Sequence, residues 1–410
     1  MPLTRRSLLA AQLAGPVVAT LARSRRAAAQ GTTIRIGVLN DQSGPYRDTG
    51  GVTSVICCKQ AVEEFGTGHG FSVDVITADH QNKPDIGAGI ARQWIDTQAV
   101  DLILDVPTSS VALAVNSVCR EKNKAYINVG AATADLTGKA CAPNNVHWTY
   151  DTYMLARSTG GTMVKAGGDT WFFITADYVF GQQLQRDTST LVTQAGGKIN
   201  GSVAYPFPGT TDFSSFLLQA QSSGAKVLGF CNAGADTVNS IKQAHEFGVN
   251  TKMKLAAMLM FITDVNALGL ATAQGLNLTE SFYWDLNDRT RAFTKRVVPK
   301  TPNNWPNMIH AGCYSATLHY LKGIAAMDAG QRTDGTAVVS RMKAMPTDDD
   351  AYGQAKIRED GRLLVPAYLF EVKSPTESKG PWDYYKRVET TSADDAAVPL
   401  DKTGCSLVHS

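Results

Sequence analysis

The sequence predicts an α/β protein made of two doubly wound lobes. From residue 34 onward, short runs of apolar and β-branched residues alternate with segments of helical periodicity, which is typical of parallel sheets covered by helices on both faces. The alternation pauses at residues 137–150, which are rich in Gly, Pro and Asn, and then starts again. The 410 residues, 43% of them hydrophobic, suffice for two domains with real cores.

The first predicted element is an export signal at residues 1–29. Arg5 and Arg6 precede a weakly apolar stretch, and the alanines at 27–29 form a small-residue cleavage pattern, so that cleavage is expected near Ala29. Paired arginines in this position resemble a twin-arginine signal. The segment contains five of the 39 basic residues and none of the 37 acidic ones, so the net charge after cleavage would be −3. An uncleaved membrane anchor is the alternative, although the apolar run is short for a bilayer span.

The first lobe is predicted to begin with a regular alternation of strands and helices. The predicted strands are residues 34–39, 71–78, 101–106 and 125–129, and the predicted helices are residues 52–65, 84–97 and 109–121.

The second lobe repeats this alternation. Its predicted strands are residues 171–175, 199–205 and 227–231, and its predicted helices are residues 182–195, 213–223 and 237–247. A further strand is predicted near residues 276–284, a helix from residue 290, a long helix over residues 308–329 and strand structure at residues 363–372. The apolar run at residues 255–263 predicts a buried strand that ends before Asp264.

Composition and motifs exclude several functional classes. The formal net charge is only +2 and no Lys/Arg-rich run follows residue 26, which argues against a nucleic-acid partner. The sequence contains no Walker A loop, no Gly-x-Ser-x-Gly elbow, no HExxH and no cysteines at zinc spacing. We therefore predict no catalytic residue, no cofactor and no metal.

The cysteines are consistent with an exported protein. Cys141 and Cys405 lie in turn-rich surroundings and are the preferred disulfide pair. Cys57 and Cys58 are adjacent on a predicted helix, where packing in the core is the expected role.

Ligands bind α/β sheets beyond the carboxyl ends of the strands, so the site is expected in a cleft between the lobes. Three turns of the first lobe have the required character, since they present Tyr46 after the first strand, Thr108 and Ser109 after the third, and Ala131 and Thr133 after the fourth. Hydroxyls beside free N–H groups at a helix N-terminus favour a carboxylate. The alternative is that Thr108 or Ser109 only caps its helix.

The second lobe contributes three more candidates. Tyr178 and Phe180 follow its first strand and could close over an apolar ligand, although core packing is the alternative. Asp236 follows its third strand, where capping of the next helix is the alternative.

In combination, several motifs resemble the branched-chain amino-acid-binding family, whose members are periplasmic receptors for ABC importers. The motifs are Ile-Arg-Ile-Gly-Val-Leu at 34–39, Ser43-Gly44-Pro45-Tyr46, Thr108-Ser109, Gly130-Ala131-Ala132-Thr133, Asp177-Tyr178-x-Phe180-Gly181 and Thr211-Asp212-Phe213. The resemblance implies a type I periplasmic-binding fold with a three-strand hinge, crossed near residues 147–151, 282–285 and 362–366. Lobe 1 would comprise residues 30–148 and 284–364, and lobe 2 residues 149–283 and 365–410.

The same resemblance implies roles for the candidate residues. Groups at Thr108, Ser109, Ala131 and Thr133 would hold a ligand carboxylate, and Tyr46, Tyr178 and Phe180 would pack on its body with Asp236 nearby.

One departure from the family bears on the ligand. Family members that bind α-amino acids usually place an acidic partner for the ammonium group where this chain has Met258-Leu259-Met260-Phe261. An unpaired ammonium in a dry cleft is costly, so we expect a small hydrophobic carboxylate, an aromatic acid before a branched-chain amino acid. Asp177, Asp236 or Asp285 could supply the acid if an amino acid binds.

The leading functional hypothesis is a monomeric periplasmic receptor that performs no chemistry and docks, when closed, onto a membrane permease. An exported α/β enzyme acting on a small acid in the same cleft and a ligand-sensing module are the alternatives.

Overall fold

The computed structural model describes residues 32–165, 167–301 and 304–408, and the predicted export signal lies outside the described residues. A first sheet contains five parallel strands in the order β2-β1-β3-β4-β5. Its strands are β1 (Thr32–Asn40), β2 (Phe71–Asp79), β3 (Leu102–Asp105), β4 (Ala125–Asn128) and β5 (Asn145–His147).

A second sheet contains seven strands in the order β14-β13-β10-β9-β8-β6-β7, in which β13 runs antiparallel to both of its neighbours, β10 and β14. Its strands are β6 (Thr170–Ala176), β7 (Lys198–Tyr205), β8 (Val227–Cys231), β9 (Lys254–Ala257), β10 (Asn277–Glu280), β13 (Ala367–Val372) and β14 (Tyr385–Thr391). A short antiparallel pair is formed by β11 (Lys356–Ile357) and β12 (Leu363–Leu364).

Thirteen α-helices within the described ranges connect and flank the strands. They are α1 (Gly51–Phe65), α2 (Pro84–Gln98), α3 (Ser109–Glu121), α4 (Thr152–Leu155), α5 (Gly161–Lys165), α6 (Val179–Gln194), α7 (Ser214–Ser222), α8 (Ala235–Glu246), α9 (Ile262–Leu268), α10 (Leu270–Ala273), α11 (Asp288–Val297), α12 (Met308–Ala325) and α13 (Gly335–Lys343). A π-helical turn, Ala156–Gly160, joins α4 to α5. No helix in the described part of the chain is both long and apolar enough to cross a bilayer.

The chain passes between the two sheets three times, after β5, after β10 and between β12 and β13. The two-lobed α/β fold predicted from the sequence is confirmed. The carboxyl ends of the parallel strands of both sheets consequently face one cleft.

Buried charged groups fix this hinge. The Arg362 side chain forms an ion pair with Asp151 at 3.3 Å, and both side chains are only 1% exposed. The Arg362 guanidinium also donates to the carbonyl oxygens of Thr149 (3.0 Å) and His147 (3.4 Å). One side chain therefore joins the first and third crossings.

The second crossing has its own carboxylate. Glu280 accepts hydrogen bonds from the backbone N–H of Ile262 (2.9 Å), from the Tyr385 hydroxyl (2.9 Å) and from the backbone N–H of Met308 (3.1 Å). Ile262 and Met308 are the first residues of α9 and α12, so Glu280 links a helix of each lobe.

The strand predicted at residues 255–263 is wrong beyond its first three residues, because β9 ends at Ala257 and α9 begins at Ile262. The Asp264 side chain accepts a hydrogen bond from the N–H of Phe261 (3.0 Å), so this acid starts a helix where the apolar run suggested a strand. The predicted strand at 363–372 is divided between β12 and β13.

Helix ends also differ from prediction, since α6 begins at Val179, three residues earlier than expected, and α12 ends at Ala325. The short strand β5, the edge strand β14 and the helix α13 had no clear pattern in the sequence.

The predicted disulfide is confirmed, since Cys141 and Cys405 are bonded with an S–S distance of 2.07 Å. It ties the segment after β14 to the loop before β5, across 264 residues of sequence. Cys57 and Cys58 are buried free thiols, as expected for core residues.

Candidate functional site

A small cavity lies between the lobes, at the carboxyl ends of the parallel strands. Lobe 1 and the first crossing line it with Tyr46, Thr49, Pro107, Gly130, Ala132, Tyr150 and Ile309, and lobe 2 lines it with Tyr178, Phe180, Ala233, Leu259 and Phe261.

The floor of the cavity is formed by the turn after β3 packed against the turn after β4. Asp105 and Val106 adopt left-handed backbone angles (φ 83° and 57°), which turns the chain sharply into Pro107. A Cβ atom on Gly130 would lie 2.7 Å from the Pro107 Cβ and 2.8 Å from the Asp105 Oδ1. Only glycine therefore allows these two turns to approach so closely.

Thr108 occupies the N-cap position of α3 but does not cap the helix with its side chain. Its hydroxyl donates to the Asn82 side-chain oxygen, and the Asn82 amide donates to Asp41 at 2.8 Å. Asp41 in turn accepts from the N–H groups of Gly44 (2.7 Å) and Tyr46 (2.8 Å). This network, which the sequence did not reveal, fixes the Tyr46 turn to the start of α3.

The other residues predicted to hold a carboxylate are all buried beside the cavity. The Ser109 Oγ has no hydrogen-bond partner among the described residues. The Thr133 Oγ1 accepts a long hydrogen bond from the Asp135 N–H (3.3 Å), and Ala131 is bonded through its backbone to the Asn128 side chain. Both turns thus reach the cavity, but their lining residues are Pro107, Gly130 and Ala132.

Three aromatic residues, Tyr46, Tyr178 and Phe207, pack together beside the cavity, and we call them the aromatic lid. The hydroxyl groups of Tyr46 and Tyr178 are 2.6 Å apart and join the two lobes. The Phe207 ring stacks on Tyr178 (centroids 4.4 Å apart, 15° between planes) and lies 5.6 Å from the Tyr46 ring. Phe207 follows β7 and was not identified from the sequence, where a single aromatic beside a proline gives no signal of function.

The backbones of the two lobes also touch beside this lid. The N–H of Ala235 donates to the Pro45 carbonyl oxygen at 3.0 Å. The preceding Gly234 has φ 59°, and a Cβ atom there would lie 2.4 Å from the same oxygen. The lobes are therefore closed against each other in this structure, and this backbone contact requires glycine at position 234.

The remaining walls are apolar. Phe180, Leu259 and Phe261 are each at most 3% exposed. Tyr150 packs edge-on against Phe261, and its hydroxyl donates a hydrogen bond to the Gly130 carbonyl oxygen at 2.6 Å. Tyr150 therefore also forms part of the cavity wall.

Asp236 lies outside this lining, in the first turn of α8. Its carboxyl group accepts a hydrogen bond from the Tyr205 hydroxyl at 2.8 Å, and burial raises the pKa of Asp236 to about 6. Asp177 accepts from the Gln182 amide (3.0 Å), and Asp285 pairs with Arg291 (2.7 Å). None of the residues that line the cavity carries a carboxyl group.

Comparison with known proteins agrees with this architecture. Residues 33–381 match the model of a family described as periplasmic binding protein. A crystal structure of a periplasmic binding protein from Burkholderia mallei is 46% identical, has a TM-score of 0.88 and is matched over 92% of this chain and 99% of that one.

Two further solved structures are similar. A branched-chain amino acid ABC transporter periplasmic ligand-binding protein from Burkholderia xenovorans LB400 is 36% identical with a TM-score of 0.80, over 91% of this chain and 99% of that one. A solute-binding protein of an ABC transporter from R. palustris, in complex with benzoate, is 21% identical with a TM-score of 0.79, over 92% and 100% of the two chains. This chain belongs to the periplasmic binding protein family, and it shares with these proteins the fold of transporter receptors.

Proposed function

We propose that this periplasmic solute-binding protein of an ABC transporter takes a small hydrophobic carboxylate, with an aromatic acid preferred over a branched-chain amino acid. The observation that carries the proposal is the lining of the interlobe cavity, which is aromatic and aliphatic and has no acidic side chain. A ligand ammonium group enclosed there would meet no carboxylate among the lining side chains and would be desolvated at a cost of several kcal/mol. A ring without an amine avoids that cost.

The carboxylate end is assigned to the start of α3. Free N–H groups and the helix dipole favour an anion there, and the buried Ser109 hydroxyl beside them has no partner among the described residues. We place Thr133 and the Ala131 backbone on the other side of the carboxylate, and Tyr46, Tyr178 and Phe180 on the ligand body.

The benzoate complex of the R. palustris relative supports the choice of benzoate as the first probe, and the Burkholderia xenovorans relative supports leucine as the second. Binding would shift the lobes from an open to the closed arrangement, and the closed face would dock onto a permease. The receptor would act in the periplasm as a monomer, after removal of the signal near Ala29.

Titration calorimetry with benzoate and with leucine tests the ligand class directly. We expect benzoate to bind and leucine to bind more weakly. Mass spectrometry of the solute retained on purification, and of benzoate recovered after hours of incubation, should show an unchanged acid. Tight leucine binding without any response to benzoate would reverse the proposed order, and conversion of the acid would indicate an enzyme.

Ser109→Ala tests the placement of the carboxylate. Removal of an unpartnered buried hydroxyl should leave the unfolding free energy of the free protein unchanged or raise it, because no hydrogen bond within the protein is lost. If the hydroxyl serves the ligand, benzoate affinity should fall by about 1.5–3 kcal/mol, the usual value for a hydrogen bond to a charged group.

Ser158→Ala is the matched control, since the buried Ser158 hydroxyl also has no hydrogen-bond partner in the described part of the chain but lies in the π-helical turn outside the cavity lining. Equal benzoate affinity in the Ser109 and Ser158 variants would show that the carboxylate is held elsewhere.

A further inference from the structure

Asp105 is a buried acid directly beneath the cavity floor. It ends β3, its side chain is 0% exposed, and its Oδ1 has no hydrogen-bond partner among the described residues. The Oδ2 accepts a hydrogen bond from the Asn40 amide at 3.1 Å, and the side chains of Ser54 and Cys313 also interact with this carboxyl group. The Oδ1 would be 2.8 Å from a Cβ on Gly130, and Gly130 lines the cavity. A solute resting on Gly130 is therefore separated from this carboxyl group by one glycine.

The backbone holds Asp105 in this position. Its carbonyl oxygen accepts from the N–H groups of Val129 (3.1 Å) and Gly130 (3.4 Å), and the next N–H, of Val106, donates to Leu39 (2.9 Å). Because the residue is fixed between β1 and β4 in a left-handed conformation, its carboxyl group stays in the interior when a solute arrives.

The groups around Asp105 do not neutralise a negative charge. Five titratable side chains interact electrostatically with Asp105. They are the thiols of Cys57, Cys58 and Cys313, on α1 and α12, and the phenols of Tyr126 and Tyr150. Burial raises the pKa of each of them far above neutrality, so all five are uncharged at physiological pH, and none of them is cationic. Asp105 is the member of this cluster that can change its charge.

We propose that solute binding is linked to a proton: an anionic solute captured against Pro107 and Gly130 causes one proton to be taken up by the Asp105 carboxyl group. The proton comes from the solvent and bonds to a carboxylate oxygen of Asp105, and no bond of the solute is broken. The inference rests on the proposed function, since it requires that the solute be a carboxylate.

The physical reason is that a solute carboxylate seated on Gly130 would lie near the buried Asp105 carboxylate, and two carboxylates that share a desolvated site do not both remain ionised. In the free protein, burial already raises the pKa of Asp105 to about 6, so the group is largely ionised at pH 8 and largely protonated at pH 5. An adjacent anion raises that pKa further. The dissociation constant should therefore be constant below about pH 5 and rise by up to about tenfold per pH unit above pH 6.

A second acid titrates in the same range and has to be separated from the first. Asp236 also has a pKa raised to about 6, but it lies outside the cavity lining and keeps the Tyr205 hydroxyl as a donor. Its charge is therefore stabilised independently of the solute.

The experiment is calorimetric titration of the full-length mature protein with benzoate at pH 5 and pH 8, in two buffers of different ionisation enthalpy at each pH. The difference in heat between the buffers gives the number of protons exchanged. We expect uptake approaching one proton per benzoate at pH 8 and close to zero at pH 5. Asp105→Asn should abolish the uptake at pH 8 and bind benzoate at least tenfold more tightly there than the wild type, and Asp236→Asn should retain the uptake.

Benzoate binding to the wild type without proton uptake at pH 8 would overturn the inference and leave the proposed function intact. Uptake that persists in Asp105→Asn but disappears in Asp236→Asn would also overturn it, since the proton would then belong to Asp236. If benzoate does not bind at either pH, the proposed preference fails and the inference fails with it.

Discussion

Gly234→Ala is expected to lower benzoate affinity by roughly fivefold to 150-fold while the protein remains folded. The added Cβ would lie 2.4 Å from the Pro45 carbonyl oxygen and 3.1 Å from the Tyr46 ring, and both of these atoms belong to the opposite lobe. Overpacking of this kind costs about 1–3 kcal/mol, and here the clash arises only when the lobes are closed, so it destabilises the closed state. The apparent affinity is proportional to the fraction of the protein that can close. A clash that makes the closed state less favourable therefore raises the dissociation constant of benzoate.

The chain provides a control for alanine at a positive φ angle away from the interlobe contact. Gly224, which follows α7, has φ 65°, close to the 59° of Gly234, but a Cβ there would meet nothing within 4 Å. Gly224→Ala should cost about 1–2 kcal/mol of stability for the left-handed conformation and leave benzoate affinity unchanged. The same affinity in both variants would show that the contact between Pro45 and Gly234 is not part of the ligand-bound state.

The lobes and the position of the cleft could be predicted from the sequence because they depend on periodicity and on where strands end. Alternation of apolar runs with helical patterns determines a parallel sheet, and the polar turns after β1, β3 and β4 then have to meet at one edge. Tyr46, Tyr178 and Phe180 were found in this way, and all three line the cavity.

The finer assignments depend on side-chain direction, which periodicity does not specify. The turn that carries Thr108 and Ser109 lines the cavity through Pro107, because two left-handed residues rotate the chain before the helix begins. The sequence did not identify Asp105 as a buried acid. An acid at the end of a strand is usually solvated, and the burial of Asp105 comes from packing by distant parts of the chain.

Phe207, Leu259 and Phe261 illustrate another limit of the sequence. Leu259 and Phe261 were noted only for the acid that is missing at their position, and the structure shows that they form a cavity wall. An apolar residue after a strand looks the same in sequence whether it faces a ligand or the core, so only the spatial arrangement distinguishes the two.

Arg362→Met is expected to reduce the unfolding free energy by about 3–5 kcal/mol, the loss found when one partner of a buried ion pair is removed. The substitution leaves Asp151 buried without its counter-charge, and it deprives the Thr149 and His147 carbonyl oxygens of their donor. Urea denaturation followed by circular dichroism measures the change. Arg47→Met is the surface control, since the Arg47–Asp48 pair is 54% and 71% exposed, and it should alter stability by no more than about 0.5 kcal/mol.

Adding Asp151→Asn to Arg362→Met separates the charge from the hydrogen bonds. Asp151 caps α4 by accepting the Met154 N–H at 2.8 Å, and an asparagine oxygen can do the same. The double variant removes the uncompensated charge and keeps the cap, so it should recover part of the stability lost by Arg362→Met. The remaining deficit then measures the carbonyl contacts that tie the first crossing to the third. A double variant less stable than Arg362→Met would mean that the buried carboxylate is stabilised by groups other than this arginine, and that the hinge does not depend on the ion pair.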